Sequence, residues 1–377
     1  MIDLVALSLS LLSLLDAPLE PAQNSLSAAP LGTHITIRED VRLPWKSEHR
    51  YFADGPHFTD MAEVMAFAET LDPPKVHFEK QVQPVKGRIP GELPRELQDL
   101  QKLEALLLPP SDRIQVLDSR PATKSLTASR ANEAIDFADS GSVPPDAEIA
   151  VGPDHVIVAV NVHFRIFSAA TGEAQSNPIR IDALLGTPLL GGVNNCSSGL
   201  FDPNLLYDEQ AERFLMGASK GSDYCLAVSD SSDALGGWTT YSIATDIGGF
   251  FFDYPHAGVG QQAFYVGSNQ FFDSDNDGDD EFQEARLFAI DKDDLYAGRT
   301  PAVTSWSLAG QGGANTPQPL KLYGAGDGSW PISGPDYVLT GTGNNNVTVW
   351  SIDDPFGAGT LTRQANLNLT TYTGEIH

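Results

Sequence analysis

From residue 146 onward, short runs rich in apolar residues are separated by Gly, Asp and Pro, a pattern that predicts β-strands. These strands recur in a fixed order. One strand type reads HVIVAVN at 155, RFLMGAS at 213, AFYVGSN at 263 and YVLTGTG at 337. The second reads FRIFSAATG at 164, CLAVSDSSD at 225, RLFAIDKDD at 286 and TVWSIDDP at 348. A Pro-containing segment precedes each unit: PPDAEIAVG, FDPNLLYD, FDYPHAGVG and TPQPLKLYG.

The spacing of these units predicts an all-β fold, a β-propeller with four visible blades. The equivalent apolar residues Phe167, Val228, Ile290 and Trp350 are separated by 61, 62 and 60 positions. Further strands are WTTYSI at 238, VTSWSL at 303 and LTRQANLNL near the C-terminus, so each unit has about four strands. A β-sandwich is the alternative. The ring is four-bladed, or residues 1–145 supply strands, or the chain is part of a longer protein.

Residues 1–145 show no repeat and predict a partly helical N-terminal extension. Leu4 to Leu15 has the length of a signal-peptide core, although no Lys or Arg precedes it, and an amphipathic helix is the alternative. A helix is predicted to begin near Asp60 and to stop before Pro73, and a second is predicted at 94–108. The predicted segments are a signal peptide at 1–25, an extension at 26–110, a linker at 111–145 and the propeller at 146–377.

The charge of the chain restricts its partners. The formal net charge is −27, and residues 146–377 carry 9 basic and 29 acidic side chains. Such a field repels phosphate backbones and anionic lipid, so we expect no nucleic-acid partner. The sequence has no apolar run of the 18 or more residues that a spanning helix needs, so we also expect no membrane insertion.

The acidic segment DSDNDGDDEFQE at 273–284 predicts a calcium loop. It matches D-x-[DN]-x-[DN]-G-x5-E at every specified position, and calcium takes six to eight oxygen ligands. The segment lies between two predicted hairpin strands, and it resembles the calcium loops in the propellers of integrin α-subunits. This resemblance implies a structural Ca²⁺, with a solvated acidic loop as the alternative. The implied ligands are Asp273, Asp275, Asp277, the carbonyl group of Asp279 and Glu281, with Glu284 as an alternative.

Cys196 and Cys225 are the two cysteines of the chain, too few for a zinc site without clustered histidines. A disulfide between them would close a 30-residue loop and contribute ~3–4 kcal/mol by the chain-entropy estimate. Two buried thiols are the alternative. We predict the disulfide and, with the calcium loop, an extracellular or periplasmic location.

Several segments resemble a group of exported bacterial β-propeller proteins that mostly lack an assigned activity. They are AVGPDHVIVAVNVHFRIFSAATG, FDPNLLYDEQAERFLM and FDYPHAGVGQQAFYVGSNQF. The resemblance covers roughly residues 144–352 and implies secretion and a propeller, without an activity. SSDALGGW at 231–238 is similar to a sialidase-type Asp box, a structural turn. Ser231, Asp233 and Trp238 match the box, whereas Leu235 occupies its glycine position.

The starts of the first strands in the blades are the candidate ligand site, because these strands line the channel of a propeller. The residues of interest are Asp146, Glu148, Asp202, Asn204, Asp253 and His256. Asp202 and Asp253 are the candidate catalytic pair for glycoside cleavage, with His256 modulating them. The alternative is that these residues cap strand starts. His155 and His163, eight residues apart on a hairpin, are a weaker metal candidate, and we predict surface or turn positions for both.

Two functions therefore remain open. The first is a secreted, calcium-stabilised propeller that binds an extracellular protein or glycan. The second is a propeller glycoside hydrolase or lyase. An enzyme should hold the two carboxyl groups about 5–10 Å apart in an open pocket lined with aromatic residues such as Tyr254. A binding protein would leave them hydrogen-bonded to amides at the strand starts.

Overall fold

The computed structural model of this chain describes residues 35–36, 41–43, 53–71, 77–78, 134–186, 195–274, 280–312, 314–321, 334–342, 346–357 and 359–368. The predicted signal peptide, the second predicted helix and the first part of the predicted linker lie outside these residues.

Short elements precede the repeats. They are β1 (Ile35–Thr36), β2 (Val41–Leu43), β3 (Ala53–Asp60), α1 (Met61–Ala68), β4 (His77–Phe78), α2 (Phe137–Ser140) and β5 (Ser142–Val143). Helix α1 begins where the sequence predicts, because the Asp60 carboxylate accepts a hydrogen bond from the Ala62 amide at 2.8 Å. The described end of the predicted linker has regular structure, since Asp136 and Asp139 form a capping box on α2 and β5 pairs in parallel with β4.

The described part of the repeat region forms four antiparallel sheets. The first contains β6 (Glu148–Val151), β7 (His155–Val160), β8 (His163–Ser168) and β9 (Ile179–Arg180), followed by α3 (Ile181–Leu185). The second contains β10 (Phe201–Asp208), β11 (Arg213–Ser219), β12 (Asp223–Ser229) and β13 (Gly237–Ala244). The third contains β14 (Phe251–Val259), β15 (Ala263–Phe272), β16 (Glu281–Asp291) and β17 (Val303–Ser307), with α4 (Lys292–Tyr296) before β17. The fourth contains β18 (Ala314–Pro319), β19 (Asp336–Thr342), β20 (Asn346–Asp353) and β21 (Thr360–Asn368).

These sheets are the blades of a β-propeller, as the repeat predicts. Within each sheet the four strands follow one another in chain order. The first strand of each blade packs on the first strand of the next, from β6 to β10, β14 and β18. These four are the inner strands. The N-terminal ends of the inner strands therefore lie at one end of the channel, and we call this end the N-terminal rim.

The N-terminal extension supplies strands to the propeller, one of the possibilities that the sequence leaves open. Strand β3 pairs with β13 and becomes the fifth strand of the second blade. Strands β1 and β2 both pair with β21 at the outer edge of the fourth blade. Two outer blade edges that would otherwise expose unpaired backbone groups are thereby covered.

The core consists of apolar layers between consecutive blades, because each sheet buries residues on both faces. The layer between the first and second blades also takes in Met61 and Val64 of α1. The residues that the sequence aligns across the blades all lie in the buried core: Phe167, Val228, Ile290 and Trp350.

The predicted disulfide is confirmed. Cys196 lies in a short 3-10 helix and Cys225 in β12, with Cα atoms 5.8 Å apart and both side chains buried. The bond ties the segment before the second blade to the centre of that blade. Among the described residues, no helix is long and apolar enough to cross a membrane.

Candidate functional site at the N-terminal rim

Near the start of each inner strand lies a residue in the left-handed backbone region. In the second to fourth blades this residue precedes a proline, as in Asp202-Pro203, and Ala147 takes the proline position in the first blade. In the second to fourth blades a β-bulge accompanies the turn. There, the inner strand advances three residues while its neighbouring strand advances two. The left-handed residues and their φ angles are Asp146 (37°), Asp202 (48°), Tyr254 (53°) and Thr316 (48°).

Buried asparagines hold two of these strained turns across blade junctions. Asn161, at the end of β7, accepts a hydrogen bond from the Asp202 amide at 3.0 Å and donates to the Asp146 carboxylate at 2.8 Å. Asn269 of β15 accepts from the Thr316 amide at 2.8 Å and donates to the Thr316 hydroxyl at 3.2 Å. Each asparagine therefore links one blade to the start of the next inner strand.

The junction between the second and third blades uses a different arrangement, in which Asp253 itself accepts the hydrogen bond at the turn. Ser219 occupies the equivalent position and donates to the Phe252 carbonyl at 2.8 Å. The Tyr254 amide donates instead to the carboxylate of its neighbour Asp253 at 2.7 Å. A hydrogen bond from a strand-start amide to Asp253 is the arrangement that we expect of a binding protein.

Two residues after each left-handed residue, the inner strands carry polar side chains: Glu148, Asn204, His256 and Gln318. Asn204 is buried and joins two blades, because its amide nitrogen donates to the Pro255 carbonyl at 3.0 Å. The Tyr224 hydroxyl donates to the Asn204 side-chain oxygen at 3.1 Å. Gly217 makes room for this contact, since a Cβ atom there would collide with the Tyr224 hydroxyl.

Glu148 is the titratable group at the rim whose surroundings are best suited to proton transfer. Burial, and secondarily the nearby Asp146 carboxylate, raise the pKa of Glu148 to about 7. The Glu148 charge also contributes to the raised pKa of Tyr224, after the burial of Tyr224 itself. A carboxyl group that titrates near neutral pH can serve as a general acid or base.

His256, predicted to modulate catalysis, is held as a neutral imidazole. Burial lowers the pKa of His256 to about 4. The Tyr254 ring packs edge-on against the imidazole, with ring centroids 4.6 Å apart. Its buried Nε2 atom has no hydrogen-bond partner among the described residues.

An aromatic stack, which the sequence reasoning missed, is formed by residues that shortly precede the predicted carboxylates in the chain. Phe201 and Phe251, the first residues of β10 and β14, stack with ring centroids 5.7 Å apart and planes 4° apart. Both rings are half-buried and so keep an accessible surface. The available signal was a phenylalanine at the start of both FDPN (201–204) and FFDYP (251–255), but two strand starts reveal a stack only when their blades are known to be neighbours.

The acidic segment joins β15 to β16 in the third blade, so its predicted place on a hairpin is confirmed. Asp275, Asp277 and Asp279 lie outside the described residues. Glu281 accepts hydrogen bonds from the Ser274 amide at 2.8 Å and the Ser274 hydroxyl at 2.6 Å, and its buried Oε1 atom has no partner among the described residues. Glu284 pairs with Arg286, whose Nε donates at 2.7 Å, and this pairing favours Glu281 over Glu284 as a ligand.

The Asp-box-like segment forms the turn between the third and fourth strands of the second blade, where the resemblance places it. The Ser231 hydroxyl accepts from the Asp233 amide at 3.2 Å, and the Asp233 carboxylate accepts from the Leu235 amide at 2.9 Å. Trp238 is fully buried, and its indole nitrogen donates to the Ala234 carbonyl at 3.1 Å. These hydrogen bonds hold the turn together, which is a structural role.

The prediction that His155 and His163 occupy surface or turn positions is wrong. Both are buried strand residues, at opposite ends of the β7–β8 hairpin because His155 pairs with Ser168 and His163 with Val160. His155 Nε2 lies 3.0 Å from the Asp233 carboxylate of the next blade. Within the described part of the chain, no group of three or more His, Cys, Asp or Glu side chains is arranged to hold a metal.

No protein-family model and no curated protein matches this chain significantly. Among solved structures, it is similar to an exo-β-1,3-galactanase from Phanerochaete chrysosporium with galactose, at 12% identity and a TM-score of 0.33 over 61% of this chain and 52% of that one. It is also similar to an exo-β-1,3-galactanase from Clostridium thermocellum, at 13% identity and a TM-score of 0.33 over 58% of this chain and 48% of that one. The chain thus spans about half the length of these structures, and a likeness this weak assigns no activity.

Proposed function

We propose that this protein is a carbohydrate-binding β-propeller whose ligand lies on the N-terminal rim. The observation that carries the proposal is the Phe201–Phe251 stack, since Phe201 directly precedes Asp202 in the chain and Phe251 lies two residues before Asp253. Aromatic faces pack against the C–H surface of a sugar ring, and carboxylate and amide groups hydrogen-bond its hydroxyls. Mostly apolar contact with a few placed polar groups is the usual composition of a small-ligand site.

The charge of the chain is consistent with a neutral or cationic sugar. A net charge of −27 disfavours anionic polymers, and sialic acids and uronic acids carry a carboxylate that this field repels. Neutral glycans and amino sugars are therefore the ligand classes that the rim fits best.

Replacement of Phe251 by alanine is expected to weaken glycan binding about tenfold, because it removes one face of the stack and about 1.5 kcal/mol of apolar contact. The measurement is a glycan array with the wild-type chain, followed by titration calorimetry with the best ligand. Phe58→Ala is the matched control, since Phe58 is 57% exposed on β3, at the outer edge of the second blade. Equal affinity of the Phe251 variant and the wild type would place the ligand elsewhere, and a silent array would leave an extracellular protein as the default ligand.

A second candidate function is glycoside cleavage, and the pKa of Glu148 favours it. A glycosidase needs a carboxylic acid that is still protonated near neutral pH to donate to the leaving oxygen. Glu148 has such a pKa, whereas the Asp253 carboxylate is engaged by the Tyr254 amide. Glu148 is therefore a better candidate for the acid than the predicted pair of Asp202 and Asp253.

If the rim cleaves glycosides, turnover should fall as the pH rises through about 7, because Glu148 then loses the proton that it must donate. Glu148→Gln should lower turnover about 100-fold or more while retaining glycan binding. The measurement is the pH profile of glycoside hydrolysis for both proteins. Gln318→Glu, which adds a carboxyl group at the equivalent position of the fourth blade, is the control. Hydrolysis by the wild type that persists in the Glu148→Gln variant would remove Glu148 from this role.

We also propose that the acidic hairpin of the third blade binds calcium as a structural ion. The support is the match of the segment to a calcium-loop pattern and the buried, unsatisfied Oε1 atom of Glu281. The residues that would hold the ion are Asp273, Asp275, Asp277, the carbonyl group of Asp279 and Glu281. A bound ion would neutralise the mutual repulsion of these carboxylates and rigidify the hairpin.

Calcium at 100 times its Kd should stabilise the folded chain by about 2.7 kcal/mol, if it binds the folded state alone. The measurement is thermal unfolding in excess calcium and in excess chelator. The double variant Asp275→Asn, Asp277→Asn serves as the control, because it keeps the shape of the loop and removes two charges. The same melting temperature in calcium and in chelator would show that calcium does not stabilise the hairpin.

Export is part of the same proposal. A disulfide forms and persists in oxidising compartments, and the Cys196–Cys225 bond is consistent with an extracellular or periplasmic location.

A further inference from the structure

We propose that Asn161 is a positioning residue for Glu148: by fixing the Asp146 carboxylate, it sets the electrostatic surroundings in which the Glu148 carboxyl group acts. The catalytic meaning of this role rests on the proposed function of the rim, whereas the effect on Glu148 can be measured without any ligand.

The geometry around Asn161 fixes both ends of its side chain. Asn161 is 3% exposed, and its backbone amide donates to the Pro145 carbonyl at 2.7 Å. Its side-chain oxygen must face the Asp202 amide, a donor, and its nitrogen must face the Asp146 carboxylate, an acceptor. A flip of the side-chain amide would place its oxygen against the Asp146 carboxylate and its NH2 group against the Asp202 amide, and both contacts would be repulsive.

This arrangement controls a charge close to Glu148. Asp146 lies two residues before Glu148, and its left-handed backbone, with φ of 37°, already limits where its carboxylate can point. The hydrogen bond from Asn161 fixes that position. The negative charge of Asp146 then adds to the effect of burial in raising the pKa of Glu148.

After burial, Asp146 is the charged group that raises the pKa of Glu148, and the other groups nearby are neutral or contact this region through their backbone. Burial, and secondarily the charge of Glu148, raise the pKa of Tyr224 of β12 well above its usual value, so Tyr224 stays neutral near pH 7. Asp202, at the start of β10, meets Asn161 through its backbone amide. His256, two blades away along the ring, is neutral at the same pH.

The chain contains a matched control for the structural part of this role. Asn269 makes the same pair of contacts at the junction of the third and fourth blades, but it holds the neutral Thr316 instead of a carboxylate. Asn161→Ala and Asn269→Ala should therefore cost comparable stability. Only the first should change the electrostatics at Glu148.

The test is a carbon-13 NMR titration of the glutamate carboxyl groups in the full chain, with the Glu148 signal assigned by its loss in Glu148→Gln. Asn161→Ala and Asp146→Asn should each lower the titration midpoint of Glu148 by about 0.5–1 pH unit, because the Asp146 charge is displaced or removed. Asn161→Asp should raise it, because it adds a second carboxylate against Asp146. Asn269→Ala should leave it unchanged.

The proposal is overturned if the Glu148 midpoint in the Asn161 variants equals that of the wild type and of Asn269→Ala, since Asn161 would then be structural only. If Asn161→Ala does not fold, the neutral variant Asn161→Ser, which also removes the side-chain amide, decides the question by the same titration. A glycan array without binding would remove the function proposed for the rim and leave the titration result unaffected.

Discussion

Replacement of Asp208 by alanine is expected to lower the free energy of unfolding by about 3–5 kcal/mol, because it removes the carboxylate that neutralises a buried ammonium group. Asp208 Oδ2 lies 2.7 Å from Lys292 Nζ, and the two side chains are 0% and 5% exposed. The Tyr296 hydroxyl donates to the same oxygen at 2.7 Å, and the Gln210 amide donates to the other at 3.0 Å.

The size of this effect follows from where Asp208 lies. It ends β10 of the second blade, whereas Lys292 and Tyr296 belong to α4 of the third blade, so the cluster joins two blades. Without Asp208, the buried Lys292 ammonium retains the Gly260 carbonyl at 2.9 Å, a neutral dipole that cannot balance a full charge.

Urea unfolding of the wild type and of Asp208→Ala gives the difference directly. Arg299→Ala is the matched control, because Arg299 Nε lies 2.8 Å from the Asp294 carboxylate but the two side chains are 58% and 28% exposed. An exposed pair of this kind contributes about 1 kcal/mol or less. A loss below 1 kcal/mol in Asp208→Ala would mean that water or rearrangement compensates the buried lysine.

Replacement of Trp238 by alanine should cost about 3–5 kcal/mol, the usual range for removing a buried aromatic side chain. Trp238 is 0% exposed in the apolar layer between the first two blades. Its indole nitrogen also closes the Asp-box-like turn through the Ala234 carbonyl. The substitution therefore creates a cavity and removes a hydrogen bond at one position.

Trp238→Phe separates these two effects, because it keeps most of the apolar volume and removes the indole donor. It should cost about 1–2 kcal/mol, and the remaining loss in Trp238→Ala then measures the cavity. Denaturant unfolding of both variants gives the two values. Equal losses in the two variants would show that the hydrogen bond, and not packing, stabilises the turn.

The local pattern of the sequence was sufficient to predict the blades. Strands that bury both faces read as apolar runs, and a repeat near 61 residues is visible because each blade uses the same order of strands and turns. The acidic insertion was placed on the correct hairpin for the same reason. The Cys196–Cys225 pairing was also predictable, since two cysteines allow one connection.

The partners of the rim residues were not predictable, because they come from neighbouring blades. From the sequence, Asp253 is a candidate catalytic carboxylate. In the structure it accepts a hydrogen bond from the Tyr254 amide, because Ser219 of the preceding blade replaces the asparagine found at the other junctions. His155 and His163 read as exposed hairpin residues, yet neighbouring elements bury them.

By itself, the sequence determined what each segment forms: the strands, the Pro-containing segments before them, the acidic hairpin and one covalent cross-link. The tertiary structure decided which segments meet. It brought β1, β2 and β3 to the outer blade edges, stacked Phe201 on Phe251, and joined Asn161 by hydrogen bonds to Asp146 and Asp202. The physical reason is that backbone alternation is a local property, whereas burial and charge depend on side chains that are distant along the chain and adjacent only after the blades pack.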